Sequence, residues 1–234
     1  MKTVVWSIIA ATLMLGCNEP PSEPLIAIGP DSPRTGDDLV AVIVGASSDA
    51  NTTDTVSYGY RWFQDGLPRT DLTDASVPAG ETSKAENWKL VITPTDGRET
   101  GQVAAATTTI INTPPTVSVE LASDSPTTTQ DALLTVITSD LDATDEVSLS
   151  YAWSKDGAET SYTSSTLPAT ATSKGEVWTV TVTPNDDQED GEAVSKTLGV
   201  INTAPVLSAV TLSPEHASIA ATLTCAPSVP TDND

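Results

Sequence analysis

The chain reads as an all-β protein: antiparallel sandwiches in tandem behind an N-terminal export signal. Three observations carry that expectation. Blocks of sequence recur about ninety residues apart, apolar positions inside each block alternate with period two, and Thr is the commonest residue, as suits short strands. Beyond the signal, no window of eleven residues shows a helical stripe. Apolar residues make up 38% of the chain, a thin supply, but their regular placement speaks for a folded chain over a disordered one.

The N-terminus comes first. Lys2 gives a positive start, and Val4 to Leu15 form a short uncharged apolar run. A dozen residues at 1.5 Å each fall well short of the roughly 30 Å of a bilayer core, so the run reads as an export signal. It ends in Leu13-Met14-Leu15-Gly16-Cys17. That stretch resembles a bacterial lipobox, although the family most often places Leu where Met14 stands. The resemblance implies cleavage after Gly16 and a lipid-modified Cys17. It also implies, from Asn18, sorting to the outer membrane of the bacterial envelope. The plainer alternative is an ordinary signal peptide with an incidental cysteine. Asn18 to Pro24 (NEPPSEP) reads as a short extended linker.

The repeats follow. Asn112-Thr113-Pro114-Pro115 recurs as Asn202-Thr203-Ala204-Pro205, and Thr82-Ser83-Lys84 with Trp88 recurs as Thr172-Ser173-Lys174 with Trp178. Tyr60-Arg61-Trp62 with Asp65-Gly66 matches Tyr151-Ala152-Trp153 with Asp156-Gly157. These matches divide the chain into a signal (1–16), the cysteine and linker (17–24), repeats over 25–113 and 114–203, and the opening of a third over 204–234. Within a repeat, Val56, Tyr58, Tyr60 and Trp62 form one alternating stripe, matched by Val147, Leu149, Tyr151 and Trp153. Trp88, Leu90 and Ile92 form another, matched by Trp178, Val180 and Val182. Val117, Val119 and Leu121, then Ala132, Leu134 and Val136, give two more strands of the second repeat. Each strand buries one face and wets the other. Asp65-Gly66, Asp96-Gly97, Asp156-Gly157 and Asp190-Gly191 are read as the breaks between strands.

A Tyr-x-Trp strand followed by a second strand with an aromatic two residues before a core position resembles an immunoglobulin-type domain. The Asp-Gly and Thr-Pro-x-Asp turns also resemble PKD-type and cadherin-like sandwiches of bacterial surface proteins. By this resemblance Trp62 and Trp153 occupy the strand C tryptophan position. Leu90 and Val180, with Ile43 and Val136, stand where the family carries its disulfide, so aliphatic packing replaces the bond. In the third repeat Cys225 aligns with Val136, and its expected partner would lie beyond Asp234. The sequence therefore reads as part of a longer array or a truncated product, with 206–234 only locally ordered and Cys225 without a partner.

Charge narrows the function. Thirty-two acidic against ten basic residues give −22, which leaves no basic patch for nucleic acid. The single histidine, His216, excludes Ser-His-Asp and Cys-His catalysis in the first two hundred residues, and any multi-His zinc site. Carboxylates cluster at Asp49 with Asp54, at Asp140 and Asp142 with Asp145 and Glu146, at Asp186 to Asp190, and at Asp232 with Asp234. Calcium takes six to eight hard oxygens, and loops at one end of a sandwich bring such groups together. Asp140, Asp142, Asp145 and Asp186 are the candidate calcium ligands. Solvated charge that keeps an exported chain soluble is the other reading of the same residues. A glycosidase pair is disfavoured because no insertion builds a cleft. Four of the five tryptophans fall on core positions, leaving Phe63 and Tyr162 near the surface.

The expectation for function is a non-enzymatic, membrane-anchored stalk or adhesion module, with no cofactor unless calcium binds. A module that recruits a glycan or protein of the envelope is the alternative. A non-catalytic accessory part of a longer exported protein is a further one.

Overall fold

A computed structural model of the chain describes residues 18–51 and 53–232. The signal and Cys17 lie outside the described residues. The chain forms two compact units, divided between Asn112 and Thr113.

In the first unit the strands are β1 (Leu25–Gly29), β2 (Leu39–Gly45), β3 (Ser57–Gln64), β4 (Leu67–Arg69), β5 (Ser76–Val77), β6 (Asn87–Thr95) and β7 (Ala104–Thr109). They form two antiparallel sheets, in the orders β1-β2-β5 and β4-β3-β6-β7. The second unit repeats the plan with β8 (Thr116–Leu121), β9 (Ala132–Ser139), β10 (Ser148–Lys155), β11 (Ala158–Glu159), β12 (Thr166–Leu167), β13 (Val177–Asn185) and β14 (Val194–Gly199). Its sheets run β8-β9-β12 and β11-β10-β13-β14. After the first strand of each unit the chain crosses to the other sheet. Arg34 makes a parallel bridge to Ile111, and Thr127 one to Ile201.

The Asp-Gly pairs explain the β3–β4 and β10–β11 hairpins. Asp65 and Gly66 have φ of 49° and 81°, and Asp156 and Gly157 have 48° and 83°, which a tight two-residue turn of this hand requires. Each aspartate also accepts a backbone N–H from the next long strand, Asn87 and Val177 respectively.

Each core is built on a tryptophan pair. Trp62 meets Trp88 edge-on at 6.4 Å, and Trp153 meets Trp178 at 6.5 Å. All four rings are buried, with Leu39, Val77, Leu90, Ile92 and Ile110 in the first unit and Leu167, Val180, Val182 and Leu198 in the second. Trp62 faces Leu90 across the sheet and Trp153 faces Val180. Ile43 and Val136 pack against these cores from the opposite sheet. The site of the family disulfide is aliphatic in both units.

Every core indole N–H has an acceptor. Trp62 and Trp153 donate to the carbonyls of Asp74 and Ser164. Trp88 and Trp178 donate to the carboxylates of Glu86 and Glu176, each of which also accepts the N–H of a serine three residues earlier. Lys155 pairs with Glu176 at 2.6 Å. Burial pushes the Glu176 carboxyl up, but Lys155, the Trp178 indole and the Ser173 amide together outweigh it and hold the carboxyl below the usual glutamate value of 4.5. A carboxylate with a depressed native pKa stabilises the fold above its unfolded pKa. That contribution is lost as the pH falls through the lower native value. Denaturant titrations of the full chain between pH 6 and pH 3 are expected to show a shallower loss of stability in Glu176→Gln than in the parent. Parallel curves would remove this ion pair from the acid response.

Two expectations need correction. Asn18 to Pro24 does not stand free as a linker. Pro21 and Pro24 are buried, and the Ser22 amide donates to the Ser48 carbonyl at 2.8 Å, which fastens the segment to the first unit. Tyr162 is not a surface aromatic either. It is half-buried, with its ring edge-on to Trp178 at 5.9 Å. Phe63 is also half-buried, with the Lys89 ammonium 5.8 Å from its ring.

Beyond the second sandwich, β15 (Val210–Ser213) and β16 (Thr224–Pro227) pair as a single antiparallel ribbon. Cys225 lies opposite Leu212 and is exposed, as is His216. Both strands are solvent-exposed along their length.

Candidate metal centre

The acidic loops meet at one end of the second sandwich. The loop between β9 and β10 is wound by its own side chains. The Asp142 N–H donates to Asp140 Oδ1 at 2.8 Å, and the Asp145 N–H donates to the Asp142 carbonyl at 2.9 Å. This turn aims Asp140 and Asp145 the same way. The loop after β13 is held by Asp186, whose Oδ1 accepts the N–H groups of Gln188 and Glu189 at 2.8 and 2.7 Å. One oxygen from each of Asp140, Asp145 and Asp186 then lies within 4.8 Å of the others.

Three of the four candidate ligands thus converge. Asp142 stays outside that group, for a visible reason. Its Oδ2 accepts the Thr113 N–H at 2.7 Å, which turns the carboxylate toward the start of the unit. It is nonetheless 3% exposed, and its Oδ1 is buried with no hydrogen-bond partner. Asp140 Oδ2 is buried and unpartnered too. Asp187, Glu189 and Asp190 are exposed, and Asp190 Oδ1 accepts the Asn185 side-chain amide at 2.7 Å. Asp232 is exposed, and Asp234 lies outside the described residues.

The first unit builds the same frame. The Asn51 N–H donates to Asp49 Oδ1, the Asp54 N–H to the Asn51 carbonyl, and the Glu19 N–H to Asn51 Oδ1. Asp96 takes the role of Asp186 and accepts the N–H groups of Arg98 and Glu99. Its Oδ2 also accepts from the Asn18 amide at 2.6 Å. The Glu99 N–H first, then the Asn18 amide and the Arg98 N–H, hold the Asp96 carboxyl at about 2. Among the described residues, Asp49, Asp54 and Asp96 form no group as close as the one in the second unit.

Sequence reasoning missed Gln188 and Arg98. Gln188 Nε2 donates to Asp145 Oδ2 at 3.1 Å, and Arg98 Nη1 lies 3.4 Å from Asp54 Oδ2. Their alignment across the ninety-residue period was the available signal.

No protein-family model matches the chain, and no curated protein does. Solved structures are similar to it. One is the chicken interferon gamma receptor alpha chain, at 11% identity and a TM-score of 0.43, over 79% of this chain and 100% of that one. Another is the FN1–FN3 segment of chicken CNTN1, at 11% and 0.35, over 83% and 71%. A third is the three N-terminal domains of the bacteriophage RB49 outer capsid protein Hoc, at 16% and 0.30, over 88% and 69%. The strand orders of its own sheets make the chain a tandem of two immunoglobulin-like antiparallel β-sandwiches. Among the described residues, no helix is long and apolar enough to cross a membrane.

Proposed function

We propose that the chain is a bacterial envelope lipoprotein, anchored through Cys17, whose tandem sandwiches act as a structural stalk or adhesion module without a catalytic role. The observation that carries this reading is the duplication itself. Two units keep one frame of turns, tryptophan pair and indole acceptors, as a spacer built from repeated modules does. The lipobox-like Leu13 to Cys17 supports the anchor. Asn18 is already tied to Asp96, so a lipid on Cys17 holds the first sandwich close to the bilayer with no slack between them. Several acyl chains, at about 0.8 kcal/mol per buried methylene, anchor firmly.

The test is Cys17→Ser in a bacterial host that processes lipoproteins. The variant is expected to remain uncut after Gly16 and to lose the lipid-dependent partition into detergent that the parent shows. Equal processing and equal partition of the two proteins would defeat the anchor.

A further inference from the structure

The solvent face of the first unit's larger sheet is built unlike its counterpart. Arg61 lies opposite Val91 and Phe63 opposite Lys89, so strand alternation turns these side chains away from the tryptophan core. The second unit has Ala152, Thr181, Ser154 and Thr179 at the same places around its own tryptophan pair. The shared frame therefore needs neither the two cations nor the aromatic ring.

Beside this face lies a pocket of about 510 Å³, walled by Tyr60, Phe63, Pro68 and Leu72. Small-molecule sites have volumes of about 300–1,000 Å³. The loop from β4 to β5 carries Thr70 and Asp71 between Arg69 and Leu72, where the second unit has Ser161 alone. Leu72 thus stands at the place of Tyr162, whose ring lies edge-on to Trp178 in the second unit. The smaller side chain on the longer loop leaves room in the first unit.

Two arginines line the pocket, and they differ. Arg69 is committed: its Nη2 holds Asp71 and Glu81 at 2.7 Å each, and its Nη1 donates to Gln64. Arg61 is exposed, and among the described residues its guanidinium has no ion pair. Lys89 likewise has no carboxylate partner among them and sits 5.8 Å from the Phe63 ring. The chain has thirty-two acidic and ten basic residues. Two cations without acids beside an apolar pocket make this surface complementary to negative charge.

We propose that the first unit binds a sugar acid in this pocket, a pyranose ring bearing a carboxylate, as part of an acidic polysaccharide. The ring lies against Phe63 and Leu72, the Arg61 guanidinium takes the carboxylate through two hydrogen bonds, and Lys89 adds its charge. Thr70 and Thr73, which complete the lining, offer hydroxyls to those of the sugar. An acidic peptide fits less well. It would gain most from a free strand edge, and β4 already pairs with β3 from Trp62 to Gln64 beside the pocket. Its carboxylates also bring no rigid ring to set against Phe63. This inference is independent of the anchor at Cys17 and goes beyond the stalk reading by giving the first sandwich a ligand.

Isothermal titration calorimetry of the full chain at low ionic strength, with three probes, tests it. Tetragalacturonate is expected to saturate a single site. Its methyl-esterified, uncharged form is expected to bind at least tenfold more weakly, and so is N-acetylated, C-amidated tetraglutamate, which keeps the charge without the ring. Arg61→Ala and Phe63→Ser import the residues of the second unit. Each is expected to weaken tetragalacturonate binding about tenfold or more, the worth of one charged hydrogen-bonded contact. Near-ultraviolet circular dichroism confirms that their tryptophan packing is intact. Lys196→Ala removes the same charge from the second unit and is expected to bind as the parent does. No saturable binding of tetragalacturonate by the parent would overturn the proposal. So would either comparison probe binding as tightly, a folded Arg61→Ala or Phe63→Ser that binds as the parent does, or an equal loss in Lys196→Ala.

Discussion

Trp153→Ala is expected to cost the second sandwich about 3–5 kcal/mol, the usual penalty for emptying a large buried aromatic site. The ring is 1% exposed, stands edge-on to Trp178 and donates its indole N–H to the Ser164 carbonyl. Its loss therefore opens a cavity, removes an aromatic contact and forfeits the hydrogen bond to the Ser164 carbonyl. Tm for a domain of this size moves about 4–8 °C for each kcal/mol, so the effect is a drop of roughly 12 °C or more. Urea denaturation of the full chain, followed by tryptophan fluorescence, measures it. A cost below about 0.5 kcal/mol would place the ring outside the core.

Gly191→Ala carries the second large effect, and its cause is contact rather than backbone torsion. A Cβ at this position would sit 1.8 Å from the Pro115 carbonyl oxygen and 2.8 Å from Pro184 Cγ. The Gly191 N–H is meanwhile held by the Pro184 carbonyl at 2.8 Å, so the loop cannot simply swing away. Overfilling a packed site costs about 1–3 kcal/mol and more where backbone must move, as it must here. Gly101→Ala is expected to behave alike, with its Cβ 2.0 Å from the Pro21 carbonyl oxygen. Gly199→Ala serves as the control, since nothing lies within 4 Å of a Cβ there. Thermal melts of the three variants check the ranking. Equal destabilisation by Gly191→Ala and Gly199→Ala would contradict it.

The frame was legible in the sequence because it is written in period and in large residues. The Tyr-x-Trp stripe and the Trp88 and Trp178 strands could face only one way once alternation was recognised, and a sandwich follows from such strands. The carboxylates were legible as a group, since loops at one end of a sandwich converge. Which of them would meet was not. Asp142 was expected among the ligands, but a backbone N–H at Thr113 claims one of its oxygens, and such a bond leaves no mark in residue spacing. Asp96-Gly97 and Asp190-Gly191 looked like equivalent breaks, yet they do different work. Gly97 has φ of 89°, a torsion taken by Asp187 in the second unit, whereas Gly191 makes room for the Pro115 backbone of its own unit. Pro21 and Pro24 read as linker for the same reason: proline suits an extended tether and an extended packed segment equally.

Repeated sandwiches carry a hazard that a lone domain escapes, because an unpaired strand of one copy can be extended by the like strand of another. The outer strands answer part of it. β5 and β12 are two residues long, β4 is three and β11 two. At the opposite margin the crossing at Arg34 and Thr127 stitches the two sheets of a unit together. Along these short margins few backbone groups stand in a row on which cross-chain pairing can nucleate.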